Sequence, residues 1–131
     1  MKKVAFICIH NSCRSQMAEG WAKYLFSDLF EAHSAGTEEY PGPKPMAVEV
    51  MEDSGVDMSK HTSKLLEALP EIDIVITMGC GVDCPYLPSS HREDWGLDDP
   101  SGGPKEGFEI TRDLIKEKVI ELARRIEEGV I

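Results

Sequence analysis

The segment Val4-Ala5-Phe6-Ile7-Cys8-Ile9-His10-Asn11-Ser12-Cys13-Arg14-Ser15-Gln16-Met17 changes character twice in a short span. Its apolar opening (Val4 to Ile7) reads as a buried strand that ends on Cys8. Helical periodicity sets in at Ser15. Between them lies a loop with a cysteine at its start and an arginine at its end. In a strand–loop–helix unit of this kind, the N–H groups of Ile9, His10, Asn11, Ser12, Cys13, Arg14 and Ser15 can converge on one point. The positive end of the helix dipole faces that point too. A tetrahedral oxyanion fits such a cradle, and the planar fork of Arg14 can clamp two of its oxygens.

The same field acts on Cys8. A thiol facing a helix N-terminus beside a guanidinium is expected to be largely thiolate at neutral pH, hence a nucleophile lying under the bound anion. Ser15 can cap the helix or donate its hydroxyl to that sulfur. Asn11 suits a left-handed loop position. A buried structural cysteine at a strand end is the plainer reading of Cys8 alone; the spacing to Arg14 and Ser15 favours the catalytic one.

A chain of 131 residues with 41% hydrophobic content is expected to form one domain, residues 1–131, around one core. No apolar run approaches membrane-span length, and Met1-Lys2-Lys3 leads into a strand too short for a signal peptide, so a cytoplasmic location is expected. The net charge of −10 argues against nucleic acid or an anionic membrane as partner. It also opposes small anions at long range, so an oxyanion site must act through local donors. Four cysteines without an export signal suggest thiol or metal chemistry rather than a disulfide framework.

Met17, Ala18, Trp21, Leu25 and Leu29 recur at helical spacing, predicting a helix from about Ser15 to Leu29, with Gly20 packed closely on a sheet. Glu31–Ala35 reads as a weak strand. A Pro- and Gly-rich loop follows, and Pro45 opens a second helix that Gly55 ends. Thr62 or Ser63 is expected to cap a short helix through Leu65, Leu66 and Leu69. Ile72–Met78 is the clearest strand, His91–Trp95 a short edge strand, and a long amphipathic helix runs on from Phe108. Strands alternating with helices point to an α/β fold: a small parallel sheet with helices on both faces. Ligands in such sheets bind beyond the carboxyl ends of the strands. The loops after Cys8, after Met78 and around Asp98-Asp99 can therefore meet on one edge.

Attack by Cys8 on an oxyanion requires a proton for the leaving oxygen. Asp99, restrained by Pro100, is the candidate general acid, with Asp98 as the alternative; a plain solvated turn is the competing view. Cys80 and Cys84 lie in a Gly-containing loop that can bring their sulfurs together, so thiolate exchange could run from Cys8 to Cys80 to Cys84. They could instead be incidental, or bind zinc with His61 or His91, for which the spacing is weak. Cys13 is expected to pack in the base of the loop, with oxidative pairing to Cys8 as a secondary possibility. A relay of this type requires the Gly79–Pro85 segment to move.

Cys8 to Arg14 followed by Ser15, with Asp99-Pro100, resembles the low-molecular-weight protein tyrosine phosphatases. Asn11–Gly20, Ser34-Ala35-Gly36, His61-Thr62-Ser63 and Trp95–Pro100 are closer still to their thiol-dependent, thioredoxin-coupled arsenate reductase branch. The resemblance implies a single domain with a four-stranded parallel sheet, and a relay of three cysteines. In that relay Cys8 attacks arsenate, Arg14 and the loop amides stabilise charge, and Asp99 gives the proton. Cys80 then releases arsenite by forming a disulfide with Cys8, and Cys84 resolves it to a Cys80–Cys84 disulfide.

The implied partners are arsenate, with phosphate or sulfate as competing oxyanions, and a thiol reductant (thioredoxin, or glutaredoxin with glutathione); no bound cofactor is implied. The sequence departs from the branch in three places. His10 stands where many relatives carry Gly. Cys80 and Cys84 are closer together than in thioredoxin-coupled members. Asn11, Glu19 and Ser34 match an alkali-metal site of some members, but Lys64 replaces its carboxylate, so no metal is expected.

A phosphomonoesterase using Cys8, Arg14 and Asp99 is the second expectation, against which stand Cys80, Cys84 and a Ser101 where that branch typically has Tyr. A non-catalytic oxyanion-binding or redox-sensing module is the third.

Overall fold

The computed structural model describes residues 1–79 and 87–131. Cys80 and Cys84, and all of the expected moving segment except Gly79, lie outside the described residues. Strand β1 (Lys2–Cys8) leads into helix α1 (Arg14–Phe26), and β2 (Phe30–Gly36) is followed by α2 (Pro45–Asp53). A single 3-10 turn (Leu66–Ala68) precedes β3 (Ile74–Thr77), β4 (His91–Asp94) and the long α3 (Lys105–Glu127). The four strands form one sheet in the order β2-β1-β3-β4, with every pair parallel. The α/β class and the four-stranded parallel sheet are as expected, but helices do not flank both faces. Among the described residues α1, α2 and α3 all pack on one face, and the 3-10 turn with connecting segments covers the other. β1 sits between β2 and β3, so the loop that leaves it emerges in the middle of the carboxyl edge.

The sheet faces are covered unequally. Val4, Phe6, Ile74 and Ile76 share the larger core with Met17 and Trp21 of α1, Val50 and Met51 of α2, and Ile115, Val119 and Leu122 of α3. On the opposite face Ala5, Ile7, Ala35 and Val75 are covered by Ile72 and the half-buried Ile9, Leu66, Leu69 and Leu87. The short helix expected after Thr62 or Ser63 is only that 3-10 turn, and no side chain caps it. Ser63 instead donates to Asn11 O at 2.8 Å, and Lys64 O accepts from Gly36 N at 2.7 Å. The segment is drawn out along β2, with Gly36 and Leu65 forming an isolated parallel bridge.

Two further details differ from expectation. Gly20 packs not on the sheet but under the α2 connection. A Cβ there would lie 3.0 Å from Met51 Cε and 3.4 Å from Met58 Sδ. Helix α1 ends at Phe26, and Leu25 is exposed, whereas every residue from Arg14 to Ala22 is buried. Its first half is enclosed on all sides, which an amphipathic pattern does not anticipate.

β4 is the polar edge strand, and α3 holds it. Arg125 Nη1 and Nη2 donate to Glu93 Oε1 and Oε2, both at 2.8 Å, a bidentate pair. Trp95 Nε1 donates to Glu93 Oε2 at 2.8 Å, and His91 Nε2 lies 2.7 Å from Oε1. The Arg125 hydrogen bonds outweigh burial and, with help from His91 and Trp95, push the Glu93 carboxyl down to about 2. The stabilisation is therefore complete above the ordinary carboxylate range and disappears as pH falls toward about 2. Glu93→Gln is expected to cost on the order of 2 kcal/mol near neutrality. Thermal melts of both proteins from neutral to strongly acid pH check this: the difference should shrink steadily on acidification.

Candidate active site

The site is built where β1 ends. Gly36, at the end of β2, passes so close that a Cβ on it would lie 2.6 Å from Ile9 O and 2.8 Å from Asn11 N. Only glycine permits this approach. Ile9 O accepts from Thr37 N at 2.8 Å and Glu38 N at 2.9 Å, and Ser12 O accepts from Lys44 N at 2.6 Å. Asn11 O accepts from Gln16 Nε2 at 3.0 Å and Ser63 Oγ at 2.8 Å. In a trans peptide the next N–H points opposite to the carbonyl. The N–H groups of His10, Ser12 and Cys13 are thus turned away from the surrounding chain that engages those carbonyls. Asn11 has φ +52°, the left-handed conformation expected of it.

Cys8 Sγ lies 2.8 Å from Ser15 Oγ, and both residues are buried. The direction of the proton follows from neighbours that have no choice. The Lys64 backbone N–H donates to Asn11 Oδ1 at 2.9 Å, so the other end of that carboxamide, Nδ2, donates to Ser15 Oγ at 2.8 Å. Ser15 Oγ accepts a hydrogen bond from Asn11, and among the described residues the Cys8 sulfur is the one acceptor within reach of its own proton. Of the two roles open to Ser15, the structure uses this one; the N-cap of α1 is Cys13, with no side-chain cap.

Arg14 is the first residue of α1 and is only 8% exposed. Its Nη1 donates to Met78 O at 2.5 Å and to Leu97 O at 2.6 Å, which uses both Nη1 protons. Those carbonyls come from the ends of β3 and β4, so two strands aim one guanidinium. Gly79, at φ +101°, lets them meet, since a Cβ there would be 2.8 Å from Leu97 O and 3.2 Å from Arg14 Nη1. Asp94 Oδ1 fixes the corner by accepting from Thr77 Oγ1 at 2.6 Å and Gly79 N at 2.8 Å.

Asp99, not Asp98, faces this group, with Oδ2 3.9 Å from Arg14 Nη2. Burial pushes the Asp99 carboxyl up. The N–H and hydroxyl of Ser101, with the charges of Arg14 and Lys44, outweigh this and hold it below its usual range. Asp99 is therefore a carboxylate at neutral pH. Cys13 lies in the loop's base as expected; burial above all, aided by Asp99 and Cys8, pushes its thiol up to about 12.

His10 is exposed on the rim, 3.2 Å from Glu38 Oε1, with its ring 5.0 Å from that of Tyr40. Behind the loop, buried Glu19 accepts from Ser34 Oγ and from Lys23 Nζ at 2.6 Å, with Lys64 Nζ 3.6 Å away. Burial raises the Glu19 carboxyl, but these hydrogen bonds and the Lys64 charge bring it below its ordinary value. The two histidines named for zinc are engaged elsewhere: His61 Nδ1 with Gln16 Oε1 at 2.9 Å, and His91 with Glu93. Sequence reading missed Gln16, Asp94 and the carbonyls of Met78 and Leu97. The nearest signals in the sequence are the motifs His61-Thr62-Ser63 and Trp95-Gly96-Leu97.

Residues 3–130 match the family model for low molecular weight phosphotyrosine protein phosphatase. Over 120 residues, 88% of this chain and 91% of the relative, the sequence is 46% identical to arsenate reductase 2 of Staphylococcus epidermidis. A solved arsenate reductase in the phosphate binding state superposes with a TM-score of 0.88 at 42% identity, covering 96% of this chain and 99% of the other. The thioredoxin-dependent arsenate reductase of Corynebacterium glutamicum gives a TM-score of 0.81 at 31% identity, over 98% of this chain and 63% of that one. The similarity runs from the second residue of β1 to beyond the end of α3 and takes in the whole Cys8–Arg14 loop. On that extent, the chain belongs to the low molecular weight phosphotyrosine protein phosphatase family.

Proposed function

We propose that the chain is an arsenate reductase working through a covalent adduct on Cys8. The observation that carries this reading is the hydrogen-bond chain Lys64 N–H to Asn11 to Ser15 to Cys8, which leaves the Ser15 hydroxyl proton available to the sulfur. A hydrogen-bond donor on sulfur stabilises the thiolate, as does the N-terminus of α1. Amides of residues 9–15 hold the oxyanion, and the Nε and Nη2 edge of Arg14 clamps it. Similarity to arsenate reductases, together with Cys80 and Cys84, favours arsenate over a phosphate ester.

The Cys8 thiolate attacks arsenic, and the displaced oxygen leaves as water after receiving a proton from Asp99. Before substrate binds, Asp99 is ionised. An oxyanion docking on Arg14 offsets the charge that depresses the Asp99 carboxyl and adds a negative one beside it, so it takes up a proton as substrate binds. The Cys80 thiolate then attacks the Cys8 sulfur. A sulfur–sulfur bond forms, the sulfur–arsenic bond breaks with its electron pair on arsenic, and arsenic(V) becomes arsenic(III). Cys84 attacks Cys80, freeing the Cys8 thiolate and leaving a Cys80–Cys84 disulfide for a thioredoxin- or glutaredoxin-type reductant. The setting that fits this cycle is the cytoplasm, with no resident cofactor and no alkali-metal ion, because Lys64 already supplies a positive charge beside Glu19.

A phosphatase needs only Cys8, Arg14 and Asp99, with water completing the cycle, and membership of the family supports it as the second reading. Cys8→Ser, Cys80→Ser and Cys84→Ser separate the two. Arsenate reduction with a thioredoxin system is expected to stop in all three, and p-nitrophenyl phosphate hydrolysis only in Cys8→Ser. Arsenate turnover surviving Cys80→Ser would sink the relay. Asp99→Asn is expected to lower kcat about 10²–10⁴-fold while phosphate still inhibits at near wild-type concentrations. Steady-state kinetics with phosphate as competitor measures both. Potassium and sodium at matched ionic strength should give equal turnover; stimulation by potassium would show that Lys64 does not replace a bound ion.

A further inference from the structure

Gln16 has no part in the mechanism above, yet its carboxamide is fully buried in the first turn of α1. Its Nε2 lies 3.0 Å from both Asn11 O and Asn11 Oδ1 and 2.9 Å from Thr62 O. Two of these partners are backbone carbonyls, which only accept, so Nε2 donates and Oε1 accepts. His61 Nδ1, 2.9 Å from Oε1, must therefore carry a proton. Burial lowers the His61 imidazolium below its usual range, and the nearby cations Lys23 and Lys64 add to this against Glu19 and Asp57. His61 is thus neutral and held as its Nδ1–H tautomer.

Gln16 is consequently gripped at both ends, and what it grips is Asn11. Its two Nε2 protons are shared among Thr62 O and the main-chain and side-chain oxygens of Asn11, a residue held in a left-handed conformation. Without it, Asn11 Oδ1 keeps only the Lys64 N–H, and the carboxamide can turn about its last torsion. If it turns, Oδ1 faces Ser15 and competes with the Cys8 sulfur for the Ser15 proton.

We infer that Gln16, braced by His61, is a positioning residue for Cys8: it locks the Asn11 carboxamide so that the Ser15 hydroxyl proton remains on the sulfur. This rests on the reading of Cys8 as the nucleophile. It does not depend on which oxyanion is attacked or on Cys80 and Cys84.

Carboxamidomethylation of residue 8 by iodoacetamide, followed by peptide mapping at about pH 7 and about pH 10, tests it. The readout needs neither arsenate nor reductant. A protein that fails to turn over arsenate would overturn the proposed function and leave this test intact. Gln16→Met is expected to slow labelling about tenfold at pH 7, and to leave it within about twofold at pH 10, where ionisation no longer limits the rate. His61→Leu should slow it severalfold at pH 7. His61→Asn, whose side-chain amide puts a donor near the Nδ1 position, should recover most of the rate.

Wild-type labelling at pH 7 in both Gln16→Met and His61→Leu would overturn the inference. So would an equal loss at both pH values, because that pattern reports access to the sulfur rather than its ionisation. If Gln16→Met does not fold, the His61 pair decides alone, with failure of His61→Asn to recover the rate counting against the inference.

Discussion

The hydrogen bond from the Lys64 amide to Asn11 Oδ1 governs the rest of the site. A backbone N–H can only donate, so together with Gln16 Nε2 it sets which end of the Asn11 carboxamide faces Ser15, and this leaves the Ser15 proton for the sulfur. A side-chain donor in its place would leave the direction ambiguous. The amide is available because residues 61–64 do not coil into a helix. They lie extended beside β2, tied to Gly36 by a 2.7 Å hydrogen bond, and Gly36 has no side chain to keep the loop away. The environment of Cys8, the proposed nucleophile at the end of β1, is thus written by a segment near the middle of the chain, through the backbone.

Arg14 is governed in the same way from the opposite side. The carbonyls of Met78 and Leu97 take both protons of one guanidinium nitrogen and fix its plane. Leu97 stands where it does because β4 is anchored to α3 by the Glu93–Arg125 pair and by Trp95 Nε1. A C-terminal helix distant from the loop therefore bears on the aim of its arginine. This local order reconciles the proposed anion site with a chain whose net charge is −10. The donors that matter are fixed dipoles and one partly desolvated guanidinium, and these act at contact range, where bulk charge is screened.

The strand–loop–helix unit was legible in the sequence because its signals are local. An apolar run, a residue tolerant of positive φ and a change of period each act within a few residues. Pro45 opening α2 and the apolar stripe of α3 were readable for the same reason. Leu65, Leu66 and Leu69 suggested a helix because apolar spacing carries no information about a competing partner. Here the Gly36 N–H took the Lys64 carbonyl, and one 3-10 turn remained. Leu25 belonged to the apolar spacing of α1 yet is exposed, and Gln16, outside that spacing, is buried, because the Asn11 loop and residues 61–64 close over the polar side of α1.

The sequence by itself determined which atoms could do chemistry: a thiol at a strand end, a guanidinium at a helix start and a carboxyl restrained by proline. Those are properties of residue type and close spacing, which survive without knowledge of the fold. Tertiary structure alone decided how protons and charges are directed among them, through Lys64 N–H, the carbonyls of Met78 and Leu97, and the buried amide of Gln16. Backbone donors and acceptors are the same at every position along a chain. Their influence comes wholly from where folding brings them, which no residue letter records.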